Sequence, residues 1–150
     1  GTNRMLVNKG FAYLHQGESL TALDRVPYAA RQAEKRQLLG KQAAIAKQLK
    51  SRKNDQALKA EHAELGKQVQ RITAELPKFF KWKIPCKHQI GFAMGGKTLY
   101  VGGNGIVQAY DATDGKELWS GKIEGRGYGL AISNGRLLVS TDKGRIHCFE

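Results

Sequence analysis

The chain has 150 residues, of which 41% are apolar, and this is enough for one ordinary domain with a buried core. No stretch is long and apolar enough to cross a bilayer and Gly1–Arg4 shows no signal-peptide pattern, so the sequence predicts no transmembrane segment. We expect the first residues to come from within a longer chain. The two cysteines, Cys86 and Cys148, have no C-x-x-C spacing, which excludes a cysteine framework for a metal and leaves open whether they form a disulfide.

The formal net charge of +12 is concentrated in one segment. Residues 25–83 hold 15 lysines and arginines against five acidic residues, whereas the rest of the chain holds ten against eight. Such a basic region is typical of surfaces that bind acidic proteins, nucleic acids or anionic membranes. The alternative is a solvated helical face with surplus lysine.

The chain opens with a β-rich stretch over residues 1–25 and continues with a helical segment over residues 26–77. The helical segment is dense in Ala, Gln, Lys, Glu and Leu, which favour helices. The polar stretch SRKND divides it into two helices, with Asp55 as N-cap of the second, while Pro27 suits the first turn and Pro77 ends the segment. This pattern predicts an antiparallel hairpin about 35 Å long, since a helix rises about 1.5 Å per residue.

Apolar residues in both predicted helices recur with steps of three and four, which is the a/d spacing of a coiled coil. The histidine in this seam occupies a position where a polar residue more often fixes register than binds a metal. The seam could close on itself or pair with another copy of the chain. Its predicted members are Leu38, Ile45, Leu49, Leu58, His62, Leu65, Val69, Ile72 and Leu76.

The basic residues nearest the predicted turn form a candidate docking surface for an acidic partner. We expect a protein partner, and nucleic acid is the weaker alternative because no aromatic residue is interleaved with these cations and no nucleic-acid-binding motif is present. The members of this surface are Lys47, Lys50, Arg52, Lys53 and Lys59.

Residues 78–150 return to short β-type runs separated by Gly, Asn and Asp turns, and Asn104-Gly105 predicts a tight hairpin. Within this part, GFAMGGKT (residues 91–98) fits the phosphate-loop pattern G-x-x-x-x-G-K-[ST]. A phosphate loop requires a helix directly after the lysine. Here Thr98 is followed by a β-type run, so the pattern predicts a β-turn in which Lys97 is an ordinary exposed residue.

Three β stretches align as an internal repeat. FAYLHQGESLTALD ends at Asp24, TLYVGGNGIVQAYD ends at Asp111 and LLVSTDKGRIHCFE ends at Glu150. The last two ends are about 39 residues apart, a length typical of a four-stranded propeller blade. The helical hairpin is therefore an insertion within the first repeat, and KFFKWKIP after it resembles KELWSGKI after Asp111.

The segment AYDATDGKELW (residues 109–119) closely resembles the A-x-D-x-x-T-G-K-x-x-W signature of the PQQ-like, or quinoprotein-type, β-propeller repeat, with Asp114 where Thr is usual. The resemblance implies structural blade anchors, in which the Trp docks between blades, the Gly permits the turn and the Asp caps that turn. These anchors are Asp24, Trp82, Ala109, Asp111, Gly115, Lys116 and Trp119.

The resemblance further implies a mainly β fold of two to three PQQ-like blades, and the helical pattern adds an antiparallel coiled-coil hairpin that these blades carry. Residues 1–25 and 78–150 would form a discontinuous partial propeller, and residues 26–77 the hairpin. A closed propeller takes about four to eight blades. We therefore expect the chain to be a piece of a longer protein, although several copies could also complete a ring.

We expect no cofactor, no metal site and no catalytic residue in this chain. A PQQ-dependent dehydrogenase uses adjacent cysteines, a Ca²⁺ held by acidic and amide side chains, and an Asp base, and none of these can be carried over to this sequence. The expected function is a non-catalytic scaffold or protein-interaction module, exported or periplasmic by resemblance. One alternative is a segment of a quinone-dependent dehydrogenase with its catalytic residues elsewhere, and another is polyanion or nucleic-acid binding through the basic hairpin.

Overall fold

The computed structural model describes residues 4–150, and the prediction of a mainly β chain with an inserted helical segment is confirmed. The two helices follow one another between the third and fourth strands. The elements are β1 (Arg4–Asn8), β2 (Phe11–Gln16), β3 (Ser19–Asp24), α1 (Arg25–Ser51), α2 (Gln56–Glu75), β4 (Phe80–Pro85), β5 (Gly91–Gly95), β6 (Thr98–Gly102), β7 (Asn104–Asp111), β8 (Glu117–Ser133), β9 (Arg136–Thr141) and β10 (Ile146–Phe149).

The described strands form two sheets. The first has the order β1-β2-β3-β4, and the second has the order β10-β9-β8-β7-β6-β5. The long strand β8 pairs with β7 as far as Arg126 and with β9 from Gly127 onwards. Gly125, just before this change of partner, has a φ of 86°, which favours glycine. The first half of β8 therefore belongs to the part of the sheet that contains β7, and its second half to the part that contains β9.

Successive side chains of β6 point to opposite faces of the strand, and both of these faces are packed against other parts of the β-sheets. Leu99 and Val101 are fully buried in a cluster that they share with the first sheet, including Leu20 of β3. Tyr100 points to the other face, where it packs against a second cluster that contains Val139 of β9. The second sheet is thus packed on one side by the first sheet and on the other by its own folded-back part.

The phosphate-loop pattern is a β-turn, as predicted. Gly95 and Thr98 are paired across β5 and β6, so Gly96 and Lys97 are the two loop residues of a hairpin. The Asn104-Gly105 hairpin is also confirmed, because the Gly103 N–H donates to the Ile106 carbonyl at 2.8 Å. The segment after Lys97 is a strand, so no helix N-terminus is available there for a phosphate.

The helices belong to a compact unit that spans Asp24–Phe80, here called the helical unit. The β unit contains the remaining described residues, up to Leu23 and Lys81–Glu150. The predicted N-cap of α2 is confirmed, because the Asp55 carboxylate accepts from the Leu58 N–H at 3.1 Å. The α-helix ends at Glu75, and Leu76–Phe79 form a 3₁₀ turn that contains Pro77. Leu76, predicted as the last seam position, therefore lies just beyond α2, because proline cannot continue an α-helical hydrogen-bond ladder.

Neither described helix combines the length and the apolar character that a membrane span needs.

Candidate functional site

Trp82 on β4 of the first sheet packs against the turn between β7 and β8 of the second. Its indole N–H donates a hydrogen bond to the Ala112 carbonyl at 3.1 Å. A Cβ added to Gly115 would lie 2.8 Å from Cε3 of the indole, so the ring occupies space that glycine leaves open. Tyr13 lies beside the ring, with the centroids 6.2 Å apart. Trp82 therefore connects the two sheets through one hydrogen bond and one close ring-on-backbone contact.

The turn that receives Trp82 is held by its own polar groups. The Asp111 carboxylate accepts from the Thr113 N–H at 2.6 Å, and the Asp111 carbonyl accepts from the Gly115 N–H at 2.8 Å. Gly115 has a φ of 77°, in the left-handed region. The Asp114 carboxylate accepts from the Lys116 N–H at 2.9 Å, and this bond together with the Lys116 ammonium lowers the pKa of Asp114. These hydrogen bonds hold the β7–β8 turn in the conformation against which Trp82 packs.

The three remaining predicted anchors, Asp24, Ala109 and Trp119, differ from this arrangement. Trp119 pairs with Ala109 of β7, and its ring meets Phe149 of β10 edge to face at 4.8 Å. It remains 37% exposed. Asp24 ends β3 and is the N-cap of α1, but its side chain makes no capping hydrogen bond. The helices begin directly after it, so the turn that follows Asp111 has no counterpart after Asp24.

All nine predicted seam residues are buried or half-buried. Ile45 of α1, Leu65 and Ile72 of α2, and Leu76 are the buried ones, and the others are half-buried. By contrast, Leu39, which neighbours the seam in sequence, is 42% exposed. His62 is half-buried, and its carbonyl accepts from the Gln42 side chain of α1 at 3.3 Å. The apolar periodicity thus identifies residues that are shielded from solvent in the two helices and at the end of α2.

All five predicted docking residues lie in or beside the turn between α1 and α2, and all are exposed. Within residues 4–150, none of their side chains forms an ion pair or hydrogen bond. Elsewhere on the helices, Arg31 contacts both Glu34, at 2.8 Å, and Glu75, at 3.4 Å. Asp55, the acidic residue within the turn, is engaged in capping α2. The turn therefore presents uncompensated positive charge, and we refer to Lys47, Lys50, Arg52, Lys53 and Lys59 as the basic tip.

A buried polar cluster in the β unit was missed by sequence reasoning. His15 is fully buried on β2, its Nε2 lies 3.4 Å from the Cys86 carbonyl, and its Nδ1 has no hydrogen-bond partner in the described part of the chain. The Tyr110 hydroxyl contacts the Cys86 sulfur at 3.9 Å. Burial raises the pKa of both Cys86 and Tyr110. Both cysteines are free thiols, Cys86 buried and Cys148 exposed.

Burial lowers the pKa of His15 and outweighs the contact with the Cys86 carbonyl, which acts in the opposite direction. The unfolded chain therefore binds more protons than the folded chain below about pH 6.5, the ordinary histidine value. We expect the contribution of His15 to stability to be present above this pH and to be lost as the pH falls towards the lowered value. Urea unfolding of the protein and of His15→Gln at pH 7.5 and 5.5 would measure this.

The wild type should exceed His15→Gln in stability at pH 7.5, and this difference should shrink at pH 5.5. His62→Gln is the control, because it removes the imidazole of a half-buried histidine on α2 instead of the buried one. It should show whether loss of any histidine has the same effect. Parallel curves for the wild type and His15→Gln over this pH range would contradict the prediction.

No group of three or more His, Cys, Asp or Glu side chains in the described part of the chain is arranged to hold a metal ion. The four histidines are distributed over both units: His15 and His88 lie near the buried cluster, His62 lies on α2, and His147 accepts from the Glu124 N–H on β8 at 3.1 Å. His147 is thereby engaged in a strand-to-strand contact.

Comparison with protein families gives a match over most of the chain. The model of the PQQ-like repeat family described as outer membrane protein assembly factor BamB matches residues 54–150. This range contains α2, all strands from β4 to β10 and every predicted anchor except Asp24. No curated protein and no solved structure shows significant similarity to the chain.

Proposed function

The chain belongs to the PQQ-like repeat family described as outer membrane protein assembly factor BamB, and from this premise we propose that it is a non-catalytic scaffold that binds a protein partner through its helical hairpin. The observation that carries this proposal is the basic tip, five exposed cations with no ion-pair partner in residues 4–150. The family description is that of an assembly factor, which fits a binding role for this chain.

The β unit supplies the scaffold in this proposal. β1–β4 constitute one propeller blade, β5–β7 with the first part of β8 constitute a second, and the rest of β8 with β9 and β10 contributes to a third. The Trp82 contact with Ala112 and Gly115 supports this division, because it joins the last strand of one blade to the turn of the next. Repeats that contact mainly their neighbours form a rigid platform for an inserted element.

We further propose that α1 and α2 form an antiparallel coiled coil that holds the basic tip. Arg31 near the start of α1 pairs with Glu75 at the end of α2, while Gln42 contacts the carbonyl of His62. These contacts run in opposite directions along the two helices. The buried Ile45, Leu65 and Ile72 fit a/d positions of such a seam. A tip held in this way exposes its cations without the entropy loss of ordering a flexible loop.

An acidic protein surface is the partner that we propose for the basic tip. Each exposed ion pair contributes about 0.2–1 kcal/mol, so five together account for roughly 5- to 5,000-fold in affinity. Interactions between exposed charges weaken at high salt. A partner with an acidic surface therefore needs no apolar groove on the hairpin, and the family description makes an exported location the natural setting.

The test is binding of fluorescein-labelled poly-L-glutamate to the protein at 50 mM salt, followed by anisotropy. A tip variant carries Gln at positions 47, 50, 52, 53 and 59. The matched control carries Gln in place of Lys35, Arg36, Lys41, Lys67 and Arg71, five other basic residues of the same hairpin. We expect the tip variant to bind at least tenfold more weakly and the control to lose less than threefold.

Equal losses in the two variants would show that only net charge matters and would overturn the docking role of the tip. A parallel titration with a 20-base-pair DNA duplex separates the nucleic-acid alternative. Tighter binding of the duplex than of poly-L-glutamate at matched charge, with a steep linear dependence of log affinity on log salt, would replace the protein partner by nucleic acid.

A further inference from the structure

A groove of about 1020 Å³ lies between the two sheets of the β unit, on the side where the β1–β2, β5–β6 and β7–β8 turns meet. Its apolar lining includes Leu6, Phe11, Tyr13 and Met94. Its size is at the upper end of the range for small-molecule sites, which are mostly apolar with a few polar groups. This groove is separate from the basic tip, since every lining residue belongs to the β unit.

The charge of the groove has one sign. Lys9, Lys81 and Lys97 line it, and among the described residues no acidic side chain does. Within residues 4–150, the side chains of Lys9 and Lys97 form no ion pair or hydrogen bond. Lys97 is the lysine of the phosphate-loop-like pattern, which the β-turn brings to the edge of the groove. An apolar site bordered by lysines is complementary to a ligand with an apolar body and an anionic group.

The backbone at Lys9 supplies a second, independent observation. The β1–β2, β5–β6 and β8–β9 hairpins each have a two-residue loop whose first residue has a positive φ. These residues are Lys9 at 52°, Gly96 at 61° and Asn134 at 50°. Glycine and asparagine adopt this conformation readily, whereas a lysine is costly there. The β1–β2 hairpin therefore has a lysine beside the groove, at a loop position where the other two hairpins have Gly96 and Asn134, which suit a positive φ. Backbone strain of this kind concentrates at ligand sites.

We propose that the groove between the two sheets binds a small organic carboxylate with an apolar chain or ring. The apolar part lies on Leu6, Phe11 and Met94, and the carboxylate lies between Lys9 and Lys97. A nucleotide fits less well, because neither lysine is followed by a helix N-terminus that could receive a phosphate. The proposal is independent of the docking role of the basic tip.

The probe is 8-anilinonaphthalene-1-sulfonate, an aromatic anion whose fluorescence rises on binding in an apolar site. We expect octanoate to displace it, while acetate, which lacks the apolar chain, and octylamine, which carries the opposite charge, fail to do so. In the Lys9→Gly/Lys97→Ala double variant, the affinity for the probe should fall on the order of tenfold. Lys143→Ala, which removes an exposed lysine outside the groove, should leave it unchanged.

Lys9→Gly alone gives a readout that a merely structural lysine would not. It relieves the positive-φ strain, so the unfolding midpoint should rise while affinity for the probe falls. Unchanged probe affinity in the double variant would overturn the proposal, as would failure of octanoate to compete. Displacement by acetate as effective as that by octanoate would overturn the apolar part of the assignment.

Discussion

Replacement of Trp82 by Ala is expected to lower the free energy of unfolding of the β unit by about 3 kcal/mol, the lower end of the range for a large aromatic ring, because Trp82 is half-buried. The substitution removes the indole from the surface of Gly115 and leaves the Ala112 carbonyl without its 3.1 Å partner. It also removes the neighbour of the Tyr13 ring. Urea unfolding monitored by circular dichroism in the β region would measure the loss.

Two further substitutions separate the parts of this effect. Trp82→Phe keeps an aromatic ring but has no N–H, so its cost should include the about 0.5–1.5 kcal/mol of a lost hydrogen bond. Trp119→Ala is the matched control, because Trp119 occupies the corresponding place in the second repeat but is 37% exposed. It should cost clearly less than Trp82→Ala. Equal losses at the two tryptophans would show that docking on the Gly115 turn contributes nothing particular.

This contrast between the two tryptophans marks a limit of sequence reasoning. The repeat identified Trp82 and Trp119 as equivalent, since KFFKWKIP around Trp82 resembles KELWSGKI around Trp119. The contact between Trp82 and Gly115 joins residues from different repeats and depends on how the sheets pack. Spacing within a repeat defines the strands and turns, whereas the environment of each anchor depends on its neighbour in space.

The helical unit was more accessible to prediction because its determinants are local. The three-and-four spacing identified residues that are all buried or half-buried, and a single aspartate marked the start of α2. The buried cluster of His15, Cys86 and Tyr110 had no such signal. Its members lie 71 and 24 residues apart in sequence, and no short motif connects them. Long-range proximity of this kind follows only from the sheet packing.

The groove combines one residue whose position could be predicted from the sequence with another whose position could not. Sequence reasoning identified Lys97 as an exposed turn residue, and the β5–β6 hairpin has that form. It gave no sign that Lys9 would border the same space, because Lys9 lies in another sheet and its positive φ of 52° is a property of the folded backbone. A motif that is incorrect as a phosphate loop therefore still places a lysine beside the groove between the two sheets.

Replacement of Gly102 by Ala is expected to destabilise the β unit by about 2–4 kcal/mol, through overpacking and the loss of a backbone hydrogen bond. A Cβ at this position would collide with the Gly127 carbonyl oxygen, a backbone atom that cannot rotate away. The Gly102 carbonyl also accepts from the Ile90 N–H at 2.9 Å. The added methyl group must therefore displace β6 or β8, where β8 changes from pairing with β7 to pairing with β9.

Gly129→Ala is the matched control for this crowding argument. Its added Cβ would also meet an oxygen, but this oxygen is the Ser140 hydroxyl, whose side chain can adopt another rotamer. We expect a loss of about 1 kcal/mol or less, because a rotamer change avoids the collision without backbone movement. The same one-carbon addition should thus have unequal costs that follow the mobility of the atom it meets. If Gly129→Ala cost as much as Gly102→Ala, general loss of glycine in the strands would explain both, and close backbone packing at the change of partner would not.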